Sequence, residues 1–132
     1  MKNRGFTLIE LLVAMTVAAV LMGLALVSYQ GARKSARDGK RKADLEQIRS
    51  ALEMCRADTG SYPAGTLVSG NNITCGTTTY MTIPNDPSTY RYYYTRVSAS
   101  SYRLCAHLEI GEGSTGCGSN CGGTCNYEVN NP

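Results

Sequence analysis

Two groups of residues in this chain could do chemistry. Cys55, Cys75, Cys105, Cys117, Cys121 and Cys125 supply six thiols, and Glu10 places one acid in a run that is otherwise apolar over residues 6–27. Thiols can be oxidised into staples, hold zinc or shuttle electrons. An even count in a small exported domain reads as disulfides. Cys117-x3-Cys121-x3-Cys125 with His107 is the arrangement closest to a zinc site, but the C-x2-4-C followed by a histidine pair is missing and His107 stands alone. No C-x-x-C occurs and no base is arranged beside a thiol, which leaves thiol redox catalysis without support. No other catalytic constellation is visible. The chain reads as non-enzymatic, with no metal and no cofactor.

The elements that carry these residues divide the chain. Residues 11–30 bear no charge, and as a helix at about 1.5 Å per residue they span roughly 30 Å, the thickness of a bilayer core. A carboxylate in such a span costs on the order of 2.5 to 3.5 kcal/mol near its middle and less near an end, so Glu10 needs an interfacial depth or a positive partner. A plain anchor with Glu10 in the headgroups is the simplest reading. The preceding Met1-Lys2-Asn3-Arg4-Gly5 is too short for a signal peptide, and no A-x-A pattern follows.

Gly5-Phe6-Thr7-Leu8-Ile9-Glu10-Leu11-Leu12-Val13 resembles the cleavage and methylation motif of type IV pilins and the related type II secretion pseudopilins. The similarity continues to Asp58-Thr59-Gly60-Ser61-Tyr62-Pro63 and fades in the cysteine-rich region. The resemblance implies that a prepilin peptidase cuts between Gly5 and Phe6 and methylates the new terminus. It implies a membrane-bound precursor, leader in and domain out, drawn by an inner-membrane assembly machinery into a helical homo-oligomeric filament. It also supplies Glu10 with a partner, the Phe6 amine of a neighbouring subunit, paired in a low-dielectric core where charge favours one register more than it adds stability. Proline late in the span, common in the family, is absent here, leaving only a weak point at Gly23.

The rest of the chain fits one small exported domain. Of 132 residues, about the first thirty are leader and span, and the modest core that remains calls for staples. Charge conflicts with this topology. Arg33, Lys34, Arg37, Lys40, Arg41 and Lys42 follow the span, whereas only Lys2 and Arg4 precede it, so the positive-inside rule would place the domain in the cytoplasm. The motif and the cysteines override it. Removing Lys2 and Arg4 lowers the formal charge from +3 to +1. The basic band, relieved only by Asp38, reads as a solvated face that could meet lipid phosphates, DNA or acidic surfaces. Without interleaved aromatics, nucleic acid has weak support as a partner. Gly39 marks a soft point in the helix.

Farther along, Leu45, Ile48, Leu52 and Cys55, with Ala51, form one apolar stripe, and Asp44, Glu46, Arg49, Glu53 and Arg56 fill the other face. Asp58-Thr59-Gly60 ends the helix and Pro63 prevents a restart. Residues 63–79 read as a surface loop holding Cys75, with an N-glycosylation sequon at Asn72-Ile73-Thr74 that is common by chance. Residues 90–97 and 102–110 read as strands around a turn at residues 98–101, residues 127–129 as a third, and residues 80–83 as an uncertain fourth. Alternation places Leu104, Ala106, Leu108 and Ile110 toward the helix, with Arg103, Cys105, His107 and Glu109 opposite. Tyr90, Tyr92, Tyr93 and Tyr94 suit an adhesive surface or, more simply, β-propensity. Cys55 on the helical stripe suits Cys75 better than Cys105, which is left to Cys117, Cys121 or Cys125.

The expected fold is α+β: a leader (1–5), a long helix (6–58) that is transmembrane over 6–30 and amphipathic over 31–58, and a stapled antiparallel-sheet domain (59–132). The expected function is a pilus subunit serving adhesion, motility or DNA uptake. A type II secretion pseudopilin comes second, disfavoured by the lack of an acidic calcium loop near the C-terminus. A monomeric membrane-anchored binding or redox domain comes third.

Overall fold

The computed structural model describes residues 5–131; the leader residues Met1 to Arg4 lie outside this range. The described residues form two compact units, one ending at Lys34 and one beginning at Ser35. A single helix, α1 (Leu8–Thr59), supplies all the regular structure of the first unit and continues into the second. It begins at Thr7, whose Oγ1 accepts the Glu10 amide at 3.3 Å and whose carbonyl accepts the Leu11 amide at 3.2 Å. Thr7 is therefore the N-cap, and Glu10 sits at the third helical position, where a threonine cap favours glutamate. Thr16, a hydroxyl within the apolar run, donates to the Val13 carbonyl and so needs no external partner. At the other end Gly60 adopts φ 77°, a left-handed conformation suited to glycine, and its amide caps the Arg56 carbonyl. Gly39 lies in regular helix rather than at a soft point: its neighbours Asp38 and Arg41 are both buried and bonded within the second unit.

The second unit contains β1 (Thr66–Val68), β2 (Asn72–Cys75), β3 (Thr78–Thr82), β4 (Tyr93–Ser98), β5 (Ser101–Ala106) and β6 (Tyr127–Asn130). Four strands form an antiparallel sheet in the order β1-β4-β5-β6, and β2 and β3 pair in a hairpin of their own. Residues 63–79 are thus not a plain loop. They hold two complete strands and the start of β3, punctuated by Gly65, Gly70 and Gly76 at positive φ. The segment at residues 80–83 falls partly within β3 and pairs with β2, outside the main sheet.

The helical stripe of Leu45, Ile48, Ala51 and Leu52 packs into one core with Tyr62, Ile73, Ile83, Tyr92, Tyr94, Tyr102, Leu104 and Ala106. At roughly 25 cal/mol per Å2, burying such apolar side chains contributes about 1.5 to 3 kcal/mol each before chain entropy is charged against it. Tyr92 and Tyr94 belong to this core and not to an adhesive surface, since both are fully buried, whereas Tyr90 and Tyr93 are half-buried outside it. The hydroxyls of Tyr92 and Tyr94 find partners in the Asp44 carboxylate at 2.7 Å and the Pro63 carbonyl at 2.7 Å. Asp44 is accordingly buried and does not join the polar face expected for it. Alternation along β5 places Leu104 and Ala106 on the helix side and Cys105 in a separate cluster. It stops at Ala106, where the strand ends. Ile110 is exposed, and Glu109 bonds Arg37 and Arg41 of α1 rather than facing away.

Candidate assembly site

In the first unit every residue from Gly5 to Lys34 is exposed. Phe6 is 83% exposed, and Leu8, Ile9, Leu11, Leu12, Val13, Met15, Val17, Val20, Leu21, Met22, Leu24, Leu26 and Val27 all present their apolar surface outward. The helix is long and apolar enough to cross a membrane. An unburied apolar surface of this extent calls for lipid or other chains around it. Gly5 and Phe6 precede the helix, outside regular structure, so the peptide bond between them is accessible. Glu10 lies on the first turn, five residues into a chain that would begin at Phe6. The helix dipole favours a carboxylate there and disfavours a nearby free amine, so the residue can offset an α-amine brought close to it. The role of Thr7 was missed from sequence, although the T-x-x-E spacing of Thr7 and Glu10 carries the signal.

The second unit contains a buried ionic node that the sequence reading spread along a solvated band. Arg41 is 0% exposed. Its guanidinium forks onto Asp86, with Nε to Oδ2 at 2.7 Å and Nη2 to Oδ1 at 2.9 Å, while Nη1 reaches Asp38 at 2.7 Å and Glu109 at 3.0 Å. Arg37 makes a second fork onto Glu109, with both contacts at 2.6 Å. Asp38 also accepts the amides of Glu109 and Ile110, each at 2.9 Å. Three acids and two arginines thereby tie α1 to the segments around Asp86 and Glu109. Hydrogen bonds from Arg37 hold the Glu109 carboxyl down to about 2, with Arg41 assisting against burial. Burial raises the Asp38 carboxyl, but the two amides and Arg41 outweigh it and leave the group below the ordinary carboxylate range. The signal for this node was present: four residues back from Ile48 is Asp44, four back from Leu45 is Arg41, and three farther back is Asp38, the same buried face.

The six cysteines form three bonds. Cys55 joins Cys75, fastening the end of α1 to β2, with Cα atoms 5.7 Å apart. Cys105 joins Cys117 and Cys121 joins Cys125, at Cα separations of 6.5 and 5.4 Å. The last four sulfurs make a small buried cluster with Tyr93 packed against it. Cys105, Cys117 and Glu128 converge within 4.8 Å, but both sulfurs are committed to their bond and cannot serve as thiolate ligands. His107 donates from Nδ1 to the Thr124 carbonyl, 2.6 Å away, and its ring lies 4.0 Å from that of Tyr90. Asn126 holds the turn after β5 by bonding the Leu108 amide and the carbonyls of Leu108 and Gly111.

Comparison with known proteins agrees with this division. Residues 1–26 match the prokaryotic N-terminal methylation motif, and residues 28–116 match the family described as Type II secretion system (T2SS), protein G. Among similar proteins is a type II secretion system core protein G of Pectobacterium carotovorum subsp. carotovorum, 33% identical over 48% of this chain and 40% of the relative. Another, from Escherichia coli (strain K12), is 34% identical over 47% of this chain and 43% of the relative. The protein of that name from Klebsiella michiganensis is 30% identical over 69% of this chain and 58% of its own length. The chain thus spans between 40% and 58% of the length of these relatives. No solved structure shows a significant match. These matches reverse the order in which the sequence ranked its two filament readings: the pilus subunit describes only the broader family, and the missing calcium loop was a poor guide. With the methylation motif at its head and the larger family match over most of the remainder, the chain belongs to the type II secretion system protein G family.

Proposed function

We infer that this protein is a pseudopilin, a structural subunit that polymerises through its N-terminal helix to serve a type II secretion machinery. Its precursor is anchored in the cytoplasmic membrane, with the stapled domain on the far side. A prepilin peptidase removes the leader after Gly5 and methylates Phe6, and an inner-membrane assembly machinery stacks the mature chains into a filament. Glu10 sets the register by receiving the Phe6 amine of the adjacent subunit. The observation that carries this reading is the contrast between the two units: an apolar helical segment with no buried residue from Gly5 to Lys34, and a domain that completes its own core.

The test is deletion of the chain in its host. Exported enzymes should then accumulate in the periplasm instead of the medium, and wild-type protein should restore their release, whereas a form uncleavable at Gly5 should not. Normal secretion accompanied by loss of surface filaments would reject the pseudopilin in favour of a pilus subunit.

A further inference from the structure

We propose that Tyr29, Arg33 and Lys34 form a collar on α1 that binds the phosphates of anionic lipid headgroups where the apolar span ends. The structure sorts the six cations of the basic band. Arg37 and Arg41 are neutralised by Glu109, Asp38 and Asp86, and the Lys42 ammonium lies 5.5 Å over the ring of Tyr127. Arg33, Lys34 and Lys40 are exposed and make no ion pair or hydrogen bond among the described residues, and of these Arg33 and Lys34 stand nearest the end of the apolar span. Arg33 instead lies 5.6 Å over the ring of Tyr29, one helical turn earlier on the same face.

Three physical features favour lipid as the partner. The two cations stand immediately beyond the uncharged residues 11–32. From Tyr29 to Lys34 the helix rises roughly 7 Å, close to the depth of one headgroup layer. Tyrosine is suited to that layer, with its ring toward the acyl chains and its hydroxyl toward water, and it stacks here under a guanidinium that can present its donors to phosphate. The positive-inside bias also disfavours placing these cations on the translocated side, and contact with anionic phosphate offsets that cost.

This inference rests on the membrane-anchored reading. The mature full-length chain would be reconstituted in vesicles of mixed phosphatidylcholine and phosphatidylglycerol, and the partition of spin-labelled lipids around it read by electron paramagnetic resonance. Phosphatidylglycerol should be favoured, by on the order of fivefold per cation at low ionic strength, and less in high salt. Arg33→Gln with Lys34→Gln should bring the ratio to parity, while Arg33→Lys with Lys34→Arg should keep it. Equal partition around the wild type, or an unchanged preference in the double glutamine variant, would overturn the proposal. So would a double glutamine variant that keeps its lipid preference yet loses filaments, because the collar would then serve carboxylates of a neighbouring chain. Failure of the wild-type chain to enter vesicles of either composition would reject the anchor itself, which is a distinguishable result.

Discussion

In the proposed function Glu10 takes a second role beside its place in the helix cap, and a single substitution would confuse the two. It is the acid whose charge can set filament register, and it occupies the third position of a helix capped by Thr7. Alanine removes both contributions, whereas glutamine keeps the hydrogen-bonding shape that a threonine cap accepts and removes only the charge. Glu10→Ala and Glu10→Gln should therefore both leave the membrane-bound chain abundant and both lose filaments, as read by electron microscopy and shear fractions. Filaments from the glutamine variant would assign the residue to capping instead. At the ionic node the arithmetic is different. Replacing Arg41 with Met strands carboxylates of Asp38 and Asp86 in a buried setting, and the expected loss is about 3 to 5 kcal/mol in urea unfolding of the full chain in detergent. Glu109 adds a pH signature. Its folded pKa is depressed to about 2, so its contribution is full above the ordinary glutamate range and is lost as pH falls toward that value. Thermal unfolding should accordingly steepen below about pH 4.5, and Glu109→Gln should be less stable at pH 7 and show a shallower acid slope.

Among the elements, legibility followed the strength of local pattern. The long helix and the hairpin of β4 and β5 announce themselves through charge-free length, three- and four-residue spacing and dense tyrosine. β1 to β3 do not, because strands of three to five residues rich in Thr and Asn look like the loop around them. Glycines at 65, 70 and 76 were their one regular trace. The sheet alternation was readable as far as Ala106 and misleading beyond it, since the next residues are held by Asn126 and Asp38 rather than by a strand partner. Apart from the strand read at residues 127–129, which is β6, the segment after β5 is legible mainly through its cysteines, since its small core consists of Cys105, Cys117, Cys121 and Cys125. Non-reducing peptide mapping should find the bonds 55–75, 105–117 and 121–125, and free thiols or zinc in fresh protein would contradict them. Replacing Cys105 and Cys117 by alanine should cost about 2 to 4 kcal/mol and open residues 108–126 to protease, with the helix and sheet core still resistant.

For the molecule as a whole, the sequence conveyed the division of labour but not its charge economy. Its basic band looked continuous because sequence lists cations without their partners, and beside the local Asp38 the acids that pair with Arg37 and Arg41 lie 45 or more residues away. Processing should be visible at this scale. Mass spectrometry of the mature chain should report an N-terminus at N-methylated Phe6, and substitution of Gly5 should leave the leader attached. A mature chain that still carries residues 1–5 would remove the basis for the filament reading. One further consequence follows from the helix of the first unit, whose bulky apolar side chains point in every direction. A cylinder that is equally greasy around its circumference adheres strongly but has no preferred azimuth: a neighbour may rotate about it, or slide along it, with little change in contact. Such a helix supplies cohesion without orientation. The pitch and handedness of any polymer built on it must be dictated by its few polar landmarks and by the folded domains it carries, so changes at the domain surface should alter helical symmetry before they alter the amount of polymer formed.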